Sequence, residues 1–186
     1  MLKLSLCGIE LELCFGFFAV IAFSFLFGQV QPNGAAAALT AALLHETGHI
    51  AAMFLFSEPP ERVCFYAGGI KIIPKKSFIE SRAASAVVLS AGCAVNLICA
   101  VLSHLIGLDE FAIISFALGF FNLLPFSYFD GGRLMELFLP YGADRVRKLF
   151  AIIFIVSAVV FIFHTRSVSV SAAAVLAFVL ASEFFL

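Results

Sequence analysis

The stretch LLHETGHIAA, Leu43 to Ala52, sets two histidines and a glutamate inside one of the most apolar parts of the chain. The surrounding window, Ala35 to Phe56, is long and apolar enough to read as a membrane-spanning helix. An ionisable group at that depth costs about 2.5–3.5 kcal/mol unless it pairs or binds a metal. On a helix, His45 and His49 stand at i and i+4, one turn apart on a single face, where both rings reach one ion, and zinc suits them. Glu46 is turned about 100° around the axis, which suits a base acting on a water beside the ion better than a third ligand. Thr47 and Gly48 are small and leave room for a neighbouring helix. The competing use of these polar groups is packing between helices.

Composition fixes the environment. The 186 residues are 63% hydrophobic with 24 Phe and only 12% charged, against about 25% charged in soluble domains. The mean hydropathy is +1.12. One small soluble core cannot hide several apolar segments of about 20 residues, so the bilayer is the expected surroundings. A net charge of −1 without a long basic tract excludes nucleic acid as the main partner. The five cysteines form no CxxC pair, so neither a disulfide framework nor a cysteine metal site is indicated.

Apolar windows predict an all-α polytopic membrane protein of about six helices. They run at Leu11 to Val30, Ala35 to Phe56, Ala83 to Ile106, Phe111 to Leu139 with interruptions, Leu149 to Phe163 and Val168 to Phe185. The fifth is short and is expected to borrow Val146; the fourth is broken by Pro125 and by Gly131-Gly132. At the N-terminus Glu10 and Glu12 interrupt any signal-peptide core, so an uncleaved first span is expected. No internal repeat or linker is visible, which predicts a single membrane domain over residues 1–186 with its core at about 35–139. With the N-terminus cytoplasmic, ten of the eleven Lys and Arg fall on that side, all but Arg166. That bias predicts an even number of crossings and both termini in the cytoplasm.

Catalytic zinc takes three protein ligands and keeps an open position. The third must come from outside the HETGH helix, and Asp130 in NLLPFSYFDGGRL, Asn122 to Leu134, is the leading candidate. It follows a proline break and precedes two glycines that let backbones come close. Its other reading is the N-cap of the short helix that follows, a role that does not exclude ligation. Glu10, Glu12, Asp109, Glu110 and Glu183 fall near expected interfaces, where carboxylates are ordinary.

HETGH on one span and NLLPFSYFDGG two spans later resemble the site-2 protease family of intramembrane zinc metalloproteases. The matched positions are His45, Glu46 and His49, then Asn122, Pro125, Asp130, Gly131 and Gly132. SAGCAVNL, Ser90 to Leu97, resembles the family's small-residue segment ending in asparagine, with Cys93 where proline is common. The resemblance implies a three-helix metalloprotease core, one catalytic Zn²⁺ held by His45, His49 and Asp130, and Glu46 as catalytic base. It also implies a short membrane-associated β-hairpin, and RVCFYAGGIKIIP, Arg62 to Pro74, reads as one around Gly68-Gly69. A bare core with a short second loop most resembles the sporulation stage IV branch. The nucleotide-binding CBS domain that many of its members carry is not seen, so nucleotide sensing in cis is not expected.

Substrate contacts are expected at Asn122 and Asn96, whose amides can donate to a carbonyl or oxyanion, and at Gly68 and Gly69, where an edge strand can pair with an unwound segment. Each has a plainer use, as a helix-bridging amide or a surface hairpin. The expected partners are a single-span membrane protein substrate, a membrane protein that regulates access, and the lipid of a bacterial cytoplasmic membrane. The expected reaction is regulated intramembrane proteolysis. The rival from another class is a metal-ion or proton transporter using His45, His49 and Asp130, which would favour repeated halves. A silent binding relative would have no need of Glu46.

Overall fold

Period-two alternation opens the chain. In LKLSL, Leu2 and Leu4 alternate with Lys3 and Ser5, and in IELEL, Ile9, Leu11 and Leu13 alternate with Glu10 and Glu12. That pattern suits a strand with one apolar face. In the computed structural model, which describes residues 2–6, 8–19, 22, 32–67, 69–75, 81–165 and 170–184, they form β1 (Leu2–Leu6) and β2 (Ile9–Leu13). The pair is antiparallel from Leu2↔Leu13 to Leu6↔Ile9, and Gly8 takes the turn at φ +81°, a conformation glycine adopts without steric cost.

The expected first span is thereby corrected at its start: Leu11 to Leu13 belong to a strand, and residues 15–19 are helical. Residues 20–21 and 23–30 of that span lie outside the described residues. After helix α1 (Pro32–Leu55) come β3 (Pro60–Tyr66) and β4 (Gly69–Pro74), the expected hairpin. β2 pairs with β3 in parallel, giving one sheet in the order β1-β2-β3-β4. Charges are concentrated on one face: Lys3 Nζ lies 2.7 Å from Glu12 Oε1, and Arg62 reaches Glu10 at 3.1 Å and Glu12 at 3.3 Å. The hydrogen bond from Lys3 holds the Glu12 carboxyl below its usual range, aided by Cys64 and Arg62 and opposed by burial.

The remaining helices are α2 (Arg82–Leu105), α3 (Asp109–Asn122), α4 (Asp130–Phe138), α5 (Ala143–Thr165) and α6 (Val170–Phe184). Among the described residues three helical segments are long and apolar enough to cross a membrane: Gly34–Leu55, Arg82–Leu105 and Ala143–Thr165. Their 22 to 24 residues span about 33–36 Å at 1.5 Å per residue, enough for a hydrocarbon core of about 30 Å. α3 and α6 are shorter, and the expected fourth span is two helices, α3 and α4, separated by the proline segment 123–129. α5 begins six residues before the apolar window, at Ala143, and thus includes Val146. Large apolar side chains along α5, among them Ile153, Val156, Val160, Phe161 and Phe163, are exposed, as a lipid-facing helix requires.

Two compact units divide the chain, Met1–Phe120 and Phe121–Leu186. In the first, α1 and α2 cross at glycine: a Cβ on Gly48 would stand 2.8 Å from Ala91 O and 3.0 Å from Gly92 Cα. Ala52, Met53 and Val88 form the adjoining core with Ile72 of β4 and Ala91. Despite Cys93 in place of a proline, α2 runs unbroken through that position. In the second unit Phe126, Ala151 and Val179 form the core. There Gly131 and Gly132 lie so close to the carbonyls of Leu123, Leu124 and Phe126 that no side chain fits at either position.

Candidate metal centre

Helix α1 carries both histidines into the interior, with His45 5% and His49 7% exposed. Their Nε2 atoms face each other at 3.1 Å. Two imidazoles bound to one tetrahedral zinc at about 2.0–2.1 Å hold their nitrogens roughly 3.3 Å apart, so the pair is already spaced for a shared ion. His49 Nδ1 lies 2.7 Å from the Val88 carbonyl oxygen. A carbonyl only accepts, so Nδ1 donates and the lone pair of His49 stays on Nε2.

Space beside those nitrogens comes from α2. A Cβ on Gly92 would run into His49 Nε2 and would lie 2.8 Å from His45 O and 2.9 Å from His45 Cε1. The donor chemistry and the bare backbone next to it therefore fit a metal ion. Asn96, one turn further along α2 and completely buried, places Nδ2 3.3 Å from His45 Nδ1. Its amide thus faces a histidine ring. Glu46 is half-buried on α1, one residue beyond His45.

The two histidines belong to the first unit and Asp130 to the second. Asp130 is half-buried and opens α4. Phe129 takes the N-cap position without a side-chain cap bond, so Asp130 does not serve as the N-cap. Asn122 is half-buried at the end of α3, and Gly69 opens β4 at φ +126°. Gly68 lies outside the described residues.

One carboxylate does more than its sequence position suggests. The Glu183 side chain is only 1% exposed, and its Oε1 accepts the Ser127 backbone N–H at 2.6 Å. Arg147 stands 3.7 Å from Glu183 and also pairs with Glu136 and Asp144. This cluster ties the segment leading into Asp130 to α5 and α6. Glu183→Ala strands a half-buried N–H and removes one partner of the half-buried Arg147 cation; a loss of about 1–3 kcal/mol of stability is expected. Thermal unfolding in detergent would show it, and an unchanged midpoint would contradict a tether at this point.

Residues 108–164 match the family model of Peptidase family M50, a range that includes Asn122, Pro125, Asp130, Gly131 and Gly132. No curated protein sequence matches the chain. Among solved structures, the site-2 protease from Methanocaldococcus jannaschii shares the fold with a TM-score of 0.66 at 22% identity, covering 98% of this chain and 93% of that one. The segment that carries Asp130 thus resembles Peptidase family M50, and the fold along nearly the whole chain is similar to that of this site-2 protease.

Proposed function

We propose that the chain is a zinc-dependent intramembrane endopeptidase that hydrolyses a peptide bond within or near the transmembrane segment of a single-span membrane protein. The observation that carries this reading is the pair of buried Nε2 atoms 3.1 Å apart beside a glycine that leaves them room. His45, His49 and Asp130 would hold the ion. When bound, zinc lowers the pKa of a water toward 7 and polarises a carbonyl. Glu46, half-buried one residue from a ligand, takes a proton from water and passes it to the leaving amine.

A helical substrate hides its carbonyls in its own hydrogen bonds, so cleavage requires local unwinding. β4 stands at the edge of the sheet, where an unwound segment can pair along the backbone from Gly69 onward. Asn122 is the amide proposed to contact the substrate. The sheet also bears on topology. Its strands come from before and after α1, which supports the reading that both stretches lie on one face of the membrane with a further crossing ahead of α1. With the charge bias, this favours six crossings and cytoplasmic termini.

The test is co-reconstitution of purified protein in liposomes with a single-span segment bearing Gly, Pro or Asn near its middle. Cleavage is expected to stop with 1,10-phenanthroline and to return with added zinc, with about one zinc per chain. Cleavage indifferent to the chelator would reject the reading, and zinc flux without cleavage would favour transport.

A further inference from the structure

Helix α2 presents three features to the imidazole pair at successive turns. Val88 offers a carbonyl oxygen to His49 Nδ1, Gly92 offers bare backbone beside Nε2, and Asn96 offers an amide to His45 Nδ1. The first feature fixes the tautomer of His49, because a carbonyl can only accept. The third does not fix that of His45 in the same way, since an amide presents either a donor or an acceptor after a half-turn of its terminal torsion.

Each orientation of Asn96 has a definite consequence. With Nδ2 toward the ring, Asn96 donates to Nδ1 of His45, the ring proton moves to Nε2, and that proton meets the lone pair of His49 at 3.1 Å. This closes a metal-free relay from Asn96 through both rings to Val88. It leaves Asn96 Oδ1 buried and without a hydrogen-bond partner among the described residues, an unfavourable state for an acceptor. With the amide turned over, Oδ1 accepts from Nδ1–H of His45 and both Nε2 lone pairs point into the space beside Gly92. Two lone pairs at that separation repel unless a cation lies between them.

We propose that Asn96 is a positioning residue for the metal centre: its amide oxygen holds His45 in the Nδ1–H tautomer, freeing Nε2 for the ion. The inference rests on the zinc reading above and assigns Asn96 to a ligand rather than to the substrate. Binding of the ion favours the second arrangement, in which the unpartnered Oδ1 gains its donor and Nδ2 takes the position that Oδ1 leaves. Outer-shell partners of ligating histidines orient the ring and raise its basicity, typically to the extent of 10–100-fold in metal affinity.

The test compares wild-type protein with Asn96→Leu and Asn96→Asp, purified at full length in detergent, by titrating zinc alone against a fluorescent chelator. Asn96→Leu keeps the approximate volume without the acceptor and is expected to bind zinc about 10–100-fold more weakly. Asn96→Asp offers only acceptors and is expected to bind at least as tightly as wild type. If Asn96→Asp fails as badly as Asn96→Leu, or if Asn96→Leu binds like wild type, the proposal is overturned while the zinc reading stands. Wild-type protein that takes up no zinc overturns both. Should neither variant fold, nitrogen-15 spectra of the zinc-loaded wild type decide: a proton on Nδ1 of His45 is expected, and a proton on Nε2 overturns the assignment.

Discussion

Glu46→Gln is expected to lower the rate of peptide cleavage by about 10²–10⁴-fold or more, with zinc content unchanged. Glutamine matches glutamate in size and keeps a hydrogen-bonding tip, so the packing of α1 is retained. It cannot accept a proton at neutral pH, and proton transfer is the one task assigned to this side chain. The helical period separates the roles: His45 and His49 share a face, whereas position 46 is rotated by about 100° from the first of them. Single-turnover cleavage together with metal analysis on the same preparation reads both quantities. Undiminished cleavage by the variant would remove Glu46 from the mechanism. Loss of zinc along with activity would instead make Glu46 a ligand and require another base.

How far the sequence reveals this arrangement depends on the range over which each feature is determined. The histidine pair is legible because an i, i+4 spacing acts within one helix, whatever packs against it. The broken segment before Asp130 is legible for a similar reason: Pro125 ends a helix and Gly131-Gly132 permit a close backbone approach, and the structure shows both. The N-terminal hairpin was masked by a hydropathy window that averages over Leu and Ile and then runs into the apolar residues beyond Leu13. Its signal was the alternation of Lys3, Ser5, Glu10 and Glu12 with leucine and isoleucine. Glu183 shows the other limit. A carboxylate near a helix end reads as interfacial, and only the tertiary fold reveals that it accepts a backbone N–H from residue 127. Gly92 belongs to a recognisable small-residue motif, but its task is defined by atoms of His45 and His49 on another helix.

Gly92→Ala is therefore expected to be the most damaging single methyl group in the first unit. Its Cβ would overlap His49 Nε2, and two further atoms crowd it, His45 O at 2.8 Å and His45 Cε1 at 2.9 Å. One of these is backbone, so relief requires either rotating His49 away from its bond to Val88 O or separating α1 from α2. Separation would also undo the contact of Gly48 with Ala91 and Gly92. Overpacking a close-packed site costs about 1–3 kcal/mol in general, and here the displaced atom is itself a proposed metal donor. A loss of zinc affinity of about 100-fold or more, with cleavage at background, is the expected result. Gly142→Ala supplies the control, because a Cβ there meets nothing within 4 Å, and both zinc binding and cleavage are expected to match wild type. Chelator competition on the two purified variants separates the cases. Wild-type zinc affinity in Gly92→Ala would mean that the ion does not sit beside the facing Nε2 atoms, and the assignment of His45 and His49 as joint ligands would fall with it.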